Sequence, residues 1–348
     1  MTSLTRVAIT ARKIIRYTVF FTIFLIIGKM LFDVGSGIYR RAYPPPPPPP
    51  TVSFGKLPAL SFPEKQKPNL TYTLETPEGG LPTLSSQAKV YFMPKLSPTL
   101  LSLDVAKDKA SSLGFNPIEQ EVSQTIYRFP HEASPATLEM NIATGIFSIS
   151  YDLKADPSPL ERKPPAPEIA ASILRSYLSS ADLLPEDLSG STTHEFLKIE
   201  GDKFVSALAL SEADLVKVNL FRKNYGDLPS LTPDPDNANV WFIVSGAQER
   251  EKQIIAGQFH YFPVDESQSS TYPVKAAQTA WDELNSGSTY IASVGVNKDG
   301  DNVKIRRIYL GYYDAGTANE FFQPIVVFEG DRGFMAYAPA VTLEYYGE

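Results

Sequence analysis

The chain has 348 residues, a net charge of −7, 43% apolar residues, three histidines and no cysteine. This length and apolar content suit about two globular domains and argue against wholesale disorder. Without cysteine, disulfide scaffolds, thiolate nucleophiles, zinc–thiolate sites and iron–sulfur clusters are excluded, and the acidic balance disfavours broad nucleic-acid binding.

Residues 17–39 are the first predicted element, uncharged except for Lys29 and Asp33. At 1.5 Å per residue they make a helix of about 34 Å, against a hydrocarbon core of roughly 30 Å. Lys29 and Asp33 stand at i, i+4, where they can pair, and the lysine can snorkel outward. A membrane helix is preferred over a buried core helix. It is also preferred over a cleaved signal peptide, because the apolar run resumes at Met30-Leu-Phe32 and no Ala-x-Ala site follows. Arg6, Arg12, Lys13 and Arg16 precede the span, and Arg40 and Arg41 follow it. That asymmetry predicts residues 1–16 in the cytoplasm and the large C-terminal part outside. Seven basic residues and one acid up to Tyr43 leave the remainder with a net charge of −13. Such a body is repelled by anionic membranes and polyanionic wall polymers.

An unbroken proline run, Pro44 to Pro50, follows. As polyproline II it forms a stiff spacer of about 22 Å. The alternative, a ligand for SH3-like or WW-like domains, requires cytoplasmic partners. Proline, serine and threonine stay frequent, so 40–98 reads as spacer and linker with one strand at 88–92.

Three helices are expected beyond it. Leu103, Ala106, Ala110 and Leu113 stand at i, i+3, i+7, i+10, with Gly114 as a stop. Residues 167–179 form the second helix, with Ile169, Ile173 and Tyr177 inward. In the third, Val274, Ala277, Trp281 and Leu284 form the stripe, Pro273 lies in the first turn and Gly287 at the end.

Strands are predicted at 125–129 and 138–151, turning at Ala143-Thr-Gly145, and at 196–199, 204–210 and 216–221. Residues 240–244 are continuously apolar, as in a strand covered on both faces, and 254–262 pairs with them. Residues 290–296 and 303–313 flank a turn at 297–302. A phase switch at Arg306-Arg307 implies a bulge or strong twist. A last hairpin joins 324–328 to 334–338. The pattern is an α+β fold.

Residues 106–153 resemble a PepSY-type module: a helix ending Leu113-Gly-Phe115, a strand, then Leu138-Glu-Met-Asn-Ile-Ala-Thr-Gly-Ile-Phe147 as strand–turn–strand. The last eighty residues are similar to the C-terminal part of YycI/YycH-type regulators. That likeness is carried by Ala280-Trp-Asp-Glu-Leu-Asn-Ser-Gly287, Ile308-Tyr-Leu-Gly-Tyr-Tyr313, Phe322-Gln-Pro-Ile-Val-Val-Phe-Glu-Gly330 and Ala336-Tyr-Ala-Pro-Ala-Val341. The resemblance implies a membrane helix, tandem PepSY-like modules at 99–160 and 161–348, and no catalytic residues. It also implies contact with a membrane sensor kinase.

The search for reactive groups finds little. His194-Glu195 lacks the second histidine of a zinc-protease helix, Lys198 standing in its place. His131 and His260 read as surface or core residues. Gly-x-Ser-x-Gly, Walker and Gly-x-Gly-x-x-Gly patterns are missing. Ser53-Phe-Gly-Lys56 and Ser86-Gln-Ala-Lys89 fit Ser-x-x-Lys but lack companion motifs. Asp299-Gly-Asp301-Asn302 lacks the EF-hand closing glutamate and reads as a hairpin turn, while Asp234-Pro-Asp236 reads as a solvated loop.

Tyr309, Tyr312, Tyr313, Phe321, Phe322 and Tyr337 are the candidate interaction surface, with an aromatic core as the alternative. No cofactor or metal is expected. The leading expectation is a non-enzymatic, single-pass, N-inside membrane protein whose outer modules bind and regulate or scaffold another envelope protein. The rivals are a binder of a small ligand or peptide, with a pocket near those aromatics, and a protease-inhibitor-like PepSY domain.

Overall fold

A computed structural model describes residues 2–42, 48–65, 68–95 and 102–347, with side chains of the first helix described from 12 to 39. The chain divides into an N-terminal unit ending at Pro49 and a body beginning at Pro50.

The N-terminal unit is one helix, α1 (Thr2–Ala42). Within it Arg12–Tyr39, 28 residues, is long and apolar enough to cross a membrane, and none of it is buried. Phe24 and Phe32 expose more than 70% of their surface, and the isoleucines around the circumference are also exposed. A helix that is apolar all round needs an apolar medium. The expected 17–39 span falls inside this segment. Of the proline run, 44–47 lie outside the described residues.

The body opens with β1 (Thr71–Leu74) and β2 (Gln87–Phe92). Next come α2 (Ser102–Ser112), β3 (Gln120–Glu121), β4 (Ile126–Pro130), β5 (Ala136–Asn141) and β6 (Phe147–Tyr151). After α3 (Pro167–Ser179) follow β7 (Thr192–Glu200), β8 (Lys203–Ser206), β9 (Leu215–Leu220) and β10 (Ser230–Leu231). Then come β11 (Val240–Val244), β12 (Ile254–Phe259), β13 (Asp265–Pro273) and α4 (Ala277–Asn285). The chain closes with β14 (Tyr290–Ser293), β15 (Asn302–Tyr313), β16 (Phe321–Phe322), β17 (Pro324–Gly330) and β18 (Met335–Pro339). The expected α+β class holds.

Nine strands form one antiparallel sheet in the order β3-β4-β5-β6-β12-β11-β9-β7-β8. It crosses residue 160: Phe147 of β6 pairs with Phe259 of β12. The division expected there, between modules 99–160 and 161–348, therefore cuts one sheet. The core of this half gathers Ala106 and Ala110 of α2, Leu174 and Leu178 of α3, and Leu138, Val218 and Phe242 of the strands. Gly257 lies opposite Phe242 across the β11–β12 ladder. A Cβ at 257 would overlap the Phe242 ring, so the glycine leaves the space that the phenylalanine fills.

A second sheet runs β1-β15-β17-β18-β14, with β10 beside β15, and α4 covers it through Ala280 and Leu284. The third sheet is β13-β2-β16. The bulge expected near Arg306 is present, as a register shift between Ile305 and Arg307. The turn at 297–302 does not make the expected hairpin. β17 and β18 lie between β14 and β15, so the turn joins strands that are not neighbours.

Residues 50–95, expected as linker, belong to the body. β1 pairs in parallel with β15, and β2 lies between β13 and β16. Ahead of them residues 51–60 form a strap. Its backbone reaches the Thr271 carbonyl from Val52 and the Ser270 hydroxyl from Ser53 (2.7 Å), and Leu57 is fully buried. The Leu57 amide donates to Tyr345 and its carbonyl accepts from Gly347, both at 2.9 Å. A composition rich in proline and threonine reads as flexible, but here distant strands supply the partners.

Two helix faces also differ from expectation. α3 has the expected bounds, yet its inward residues are Ala170, Ala171, Leu174, Tyr177 and Leu178, and Ile169 is 56% exposed. α4 begins at Ala277, four residues after Pro273, which ends β13, and Val274 bridges Val341.

Candidate functional site

The six aromatics expected as an interaction surface do not form one. Tyr312, Tyr313, Phe321, Phe322 and Tyr337 are buried, and Tyr309 is half-buried. Tyr312 and Tyr313 alternate along β15 and enter different clusters, Tyr312 stacking on Phe322 at 5.0 Å and Tyr313 meeting Phe62 at 4.7 Å. Phe321 packs on Phe54 of the strap at 5.0 Å. Both phases of β15 face packed layers, so this is core.

Between the nine-stranded sheet and the second sheet lies a buried charge. Arg222 follows β9, and its side chain is almost fully enclosed. Its Nη1 donates to Asp187, its Nε to Asp314 Oδ2 at 2.8 Å and its Nη2 to the Phe262 carbonyl at 2.5 Å. The hydroxyls of Tyr225 and Tyr261 donate to Asp187, each at 2.9 Å, and the guanidinium lies 4.5 Å from the Tyr261 ring centre. Burial pushes the Arg222 pKa down, but Asp314 and Asp187 outweigh it and the net shift is upward. Burial first, and Asp187 with it, holds the Tyr225 and Tyr261 protons in place. With every guanidinium nitrogen satisfied, the group acts as a tie between layers.

Open space lies elsewhere, along the outer side of α3. One cavity of about 390 Å³ is lined by Leu113, Phe115, His131, Tyr177, Arg250 and Ile254. A second, of about 440 Å³, is lined by Ile169, Ser172, Ile173 and Ser176 and shares Tyr177, Arg250 and Ile254 with the first. The two therefore adjoin as one groove. Its floor is the ring of Tyr177 and the side chain of Ile254, both buried. Ile169 and Ile173 form one ridge of α3 and Ser172 and Ser176 the next, each pair at i, i+4. Arg250, in a short 3-10 turn ahead of β12, donates from Nη2 to Ser180 Oγ at 2.7 Å. At the far end His131 Nδ1 accepts from the Ala133 amide at 3.1 Å, which places any proton of the neutral ring on Nε2. Burial lowers the His131 pKa, against the opposing charges of Glu251 and Glu132.

Ser158 accepts from Lys252 Nζ at 2.7 Å, but the hydrogen bond from Lys252 to Asp156 raises the lysine pKa and keeps it charged, unsuited to act as a base. His194 is exposed on β7, and His260 Nδ1 lies 2.8 Å from Gln258 Nε2. Asp299 accepts from the Asn69 amide ahead of β1, and Asp301 from the Lys298 amide and Arg332, so both carboxylates pin this loop to itself and to its neighbours.

The groove was missed in the sequence because the isoleucines of α3 look like core residues at helical spacing. Arg222 was missed because one arginine after an apolar run resembles a strand end. By sequence, no protein-family description and no curated protein matches this chain. Among solved structures, an uncharacterized protein from Eubacterium rectale overlaps 76% of this chain over 85% of its own, at 12% identity and a TM-score of 0.40. The C-terminal domain of Bacillus megaterium YpeB overlaps 72% of this chain over 95% of its own, at 12% identity and a TM-score of 0.33. Overlaps at this level leave the α+β description resting on the strands and helices above.

Proposed function

We propose that this is a non-enzymatic, single-pass membrane protein, N-terminus inside, whose extracytoplasmic body binds and regulates or scaffolds another envelope protein. The observation that carries it is α1, whose apolar side chains face outward on every side over Arg12–Tyr39. Water does not stabilise such a helix, and a bilayer does. Four basic residues before residues 17–39 against two after them support the orientation. The α2–β4–β5–β6 unit, with Gly145 in the left-handed conformation at its turn, supports the PepSY-like reading. The groove beside α3 supplies a surface for a partner, for which a membrane sensor kinase is the first candidate.

The test is crosslinking in living cells, followed by purification of the full chain and mass spectrometry of what it carries. A control replaces residues 14–39 with an unrelated membrane helix. Recovery of one membrane protein with both chains assigns the contact to the body. Recovery with the native helix alone assigns it to α1. If neither chain captures a specific protein, the partner reading fails.

A further inference from the structure

We infer that the groove along α3 takes an extended peptide segment bearing a single carboxylate between two apolar side chains. This names the surface for the partner proposed above and rests on that reading.

Three features of the groove define the occupant. Above the buried floor of Tyr177 and Ile254, the exposed Ile169 and the half-buried Ile173 form an apolar ridge that no element covers among the described residues, and a helix in water ordinarily turns a residue such as Ile169 inward. Among the described residues Arg250 is the sole charged one lining the second cavity, and it also lines the first. Only its Nη2 has a partner among the described residues, the Ser180 hydroxyl, so its other donors remain for a carboxylate. From Ile169 to its end at Ser179, α3 runs about 15 Å, the length of an extended segment of about five residues. Ser172 and Ser176 along the same wall offer hydroxyls to the backbone of such a segment.

Charge limits the occupant to one acid. The chain beyond Tyr43 carries −13, and Glu251 lines the first cavity, so a polyacidic run would meet repulsion that one paired carboxylate does not. A strongly basic peptide would be drawn to the body as a whole but would place a cation against Arg250.

The probe is acetyl-Leu-Ala-Glu-Ala-Leu-amide, titrated calorimetrically into the detergent-solubilised full chain, beside its Gln counterpart. The Glu peptide should bind about tenfold or more tightly than the Gln peptide, in line with a charge-assisted hydrogen bond. Arg250→Gln should erase that preference. Ile169→Asp, at an exposed position that the core does not need, should weaken the Glu peptide more than the Gln peptide. Equal binding of the two peptides, a preference that survives Arg250→Gln, or no heat from either at about 2 mM overturns the assignment. Failure here, with a partner still recovered by crosslinking in cells, leaves the proposed function standing and moves the contact elsewhere. Peptide binding without a partner in cells keeps the groove and removes the function.

Discussion

Asp187 and Asp314 hold the same guanidinium from different nitrogens, one in a 3-10 turn beside the nine-stranded sheet and the other just past β15. The cluster has one cation for two anions. Arg222→Gln therefore leaves two buried carboxylates uncompensated and should cost about 3–5 kcal/mol. Asp314→Asn leaves a neutral Arg–Asp pair and should cost less, about 1–3 kcal/mol. Urea denaturation followed by tyrosine fluorescence orders the two, and an Asp314→Asn loss equal to or larger than that of Arg222→Gln would contradict the charge count.

Gly257 and Phe242 form a second dependent pair. Gly257→Ala should destabilise by about 1–3 kcal/mol, because the added methyl overlaps the ring of the fully buried Phe242. In Gly257→Ala combined with Phe242→Leu, the smaller side chain makes room, so the double loss should fall below the sum of the single losses. A double-mutant cycle on thermal melts reads the coupling, and strict additivity would show that the ring relaxes freely.

Acid should act through Asp156. The Tyr151 hydroxyl, the Ser158 hydroxyl and amide, and Lys252 hold its carboxyl below the usual range. A folded-state pKa below the unfolded value of about 3.9 stabilises the fold above that pH, and the contribution is lost as pH falls through the folded value. The melting temperature of the wild type should therefore drop more steeply below pH 4 than that of Asp156→Asn. Parallel curves would place the acid sensitivity elsewhere.

The strap should loosen when Ser270 is changed. This buried hydroxyl accepts from the Ser53 amide and lies 2.8 Å from the Thr51 hydroxyl. Ser270→Ala leaves the Ser53 amide without a partner, while the Thr51 hydroxyl keeps the Thr271 amide, costing about 1–3 kcal/mol, and should speed proteolytic cleavage within residues 51–60. Cleavage at the wild-type rate would mean that the buried Leu57 alone secures the segment.

Local pattern served well wherever partners are close in sequence. α3, the β5–β6 turn at Gly145, the β17–β18 hairpin and the bulge by Arg306 follow from turn chemistry and period. Strand order did not follow, because β1 finds β15 across more than 200 residues and its four residues alternate too briefly to signal a sheet. The aromatics of β15 illustrate the same gap. Tyr312 and Tyr313 look alike in sequence, and only the layers on either side make both of them core. The groove escaped for the converse reason: Ile169 has the right spacing for the interior and lies one position off the buried stripe of Ala170, Leu174 and Tyr177.

The bonds between Leu57 and the last turn of the chain set an order of assembly. A polypeptide made from its N-terminus presents the strap first, yet the amide and carbonyl of Leu57 gain their partners at Tyr345 and Gly347. β1 likewise waits for β15, and β2 for β13 and β16. The nine-stranded sheet, drawn from residues 120–259, can close while the earlier segment is still open. The strap is then the last piece to be sealed, and until residue 347 is available the segment around Leu57 stays undocked.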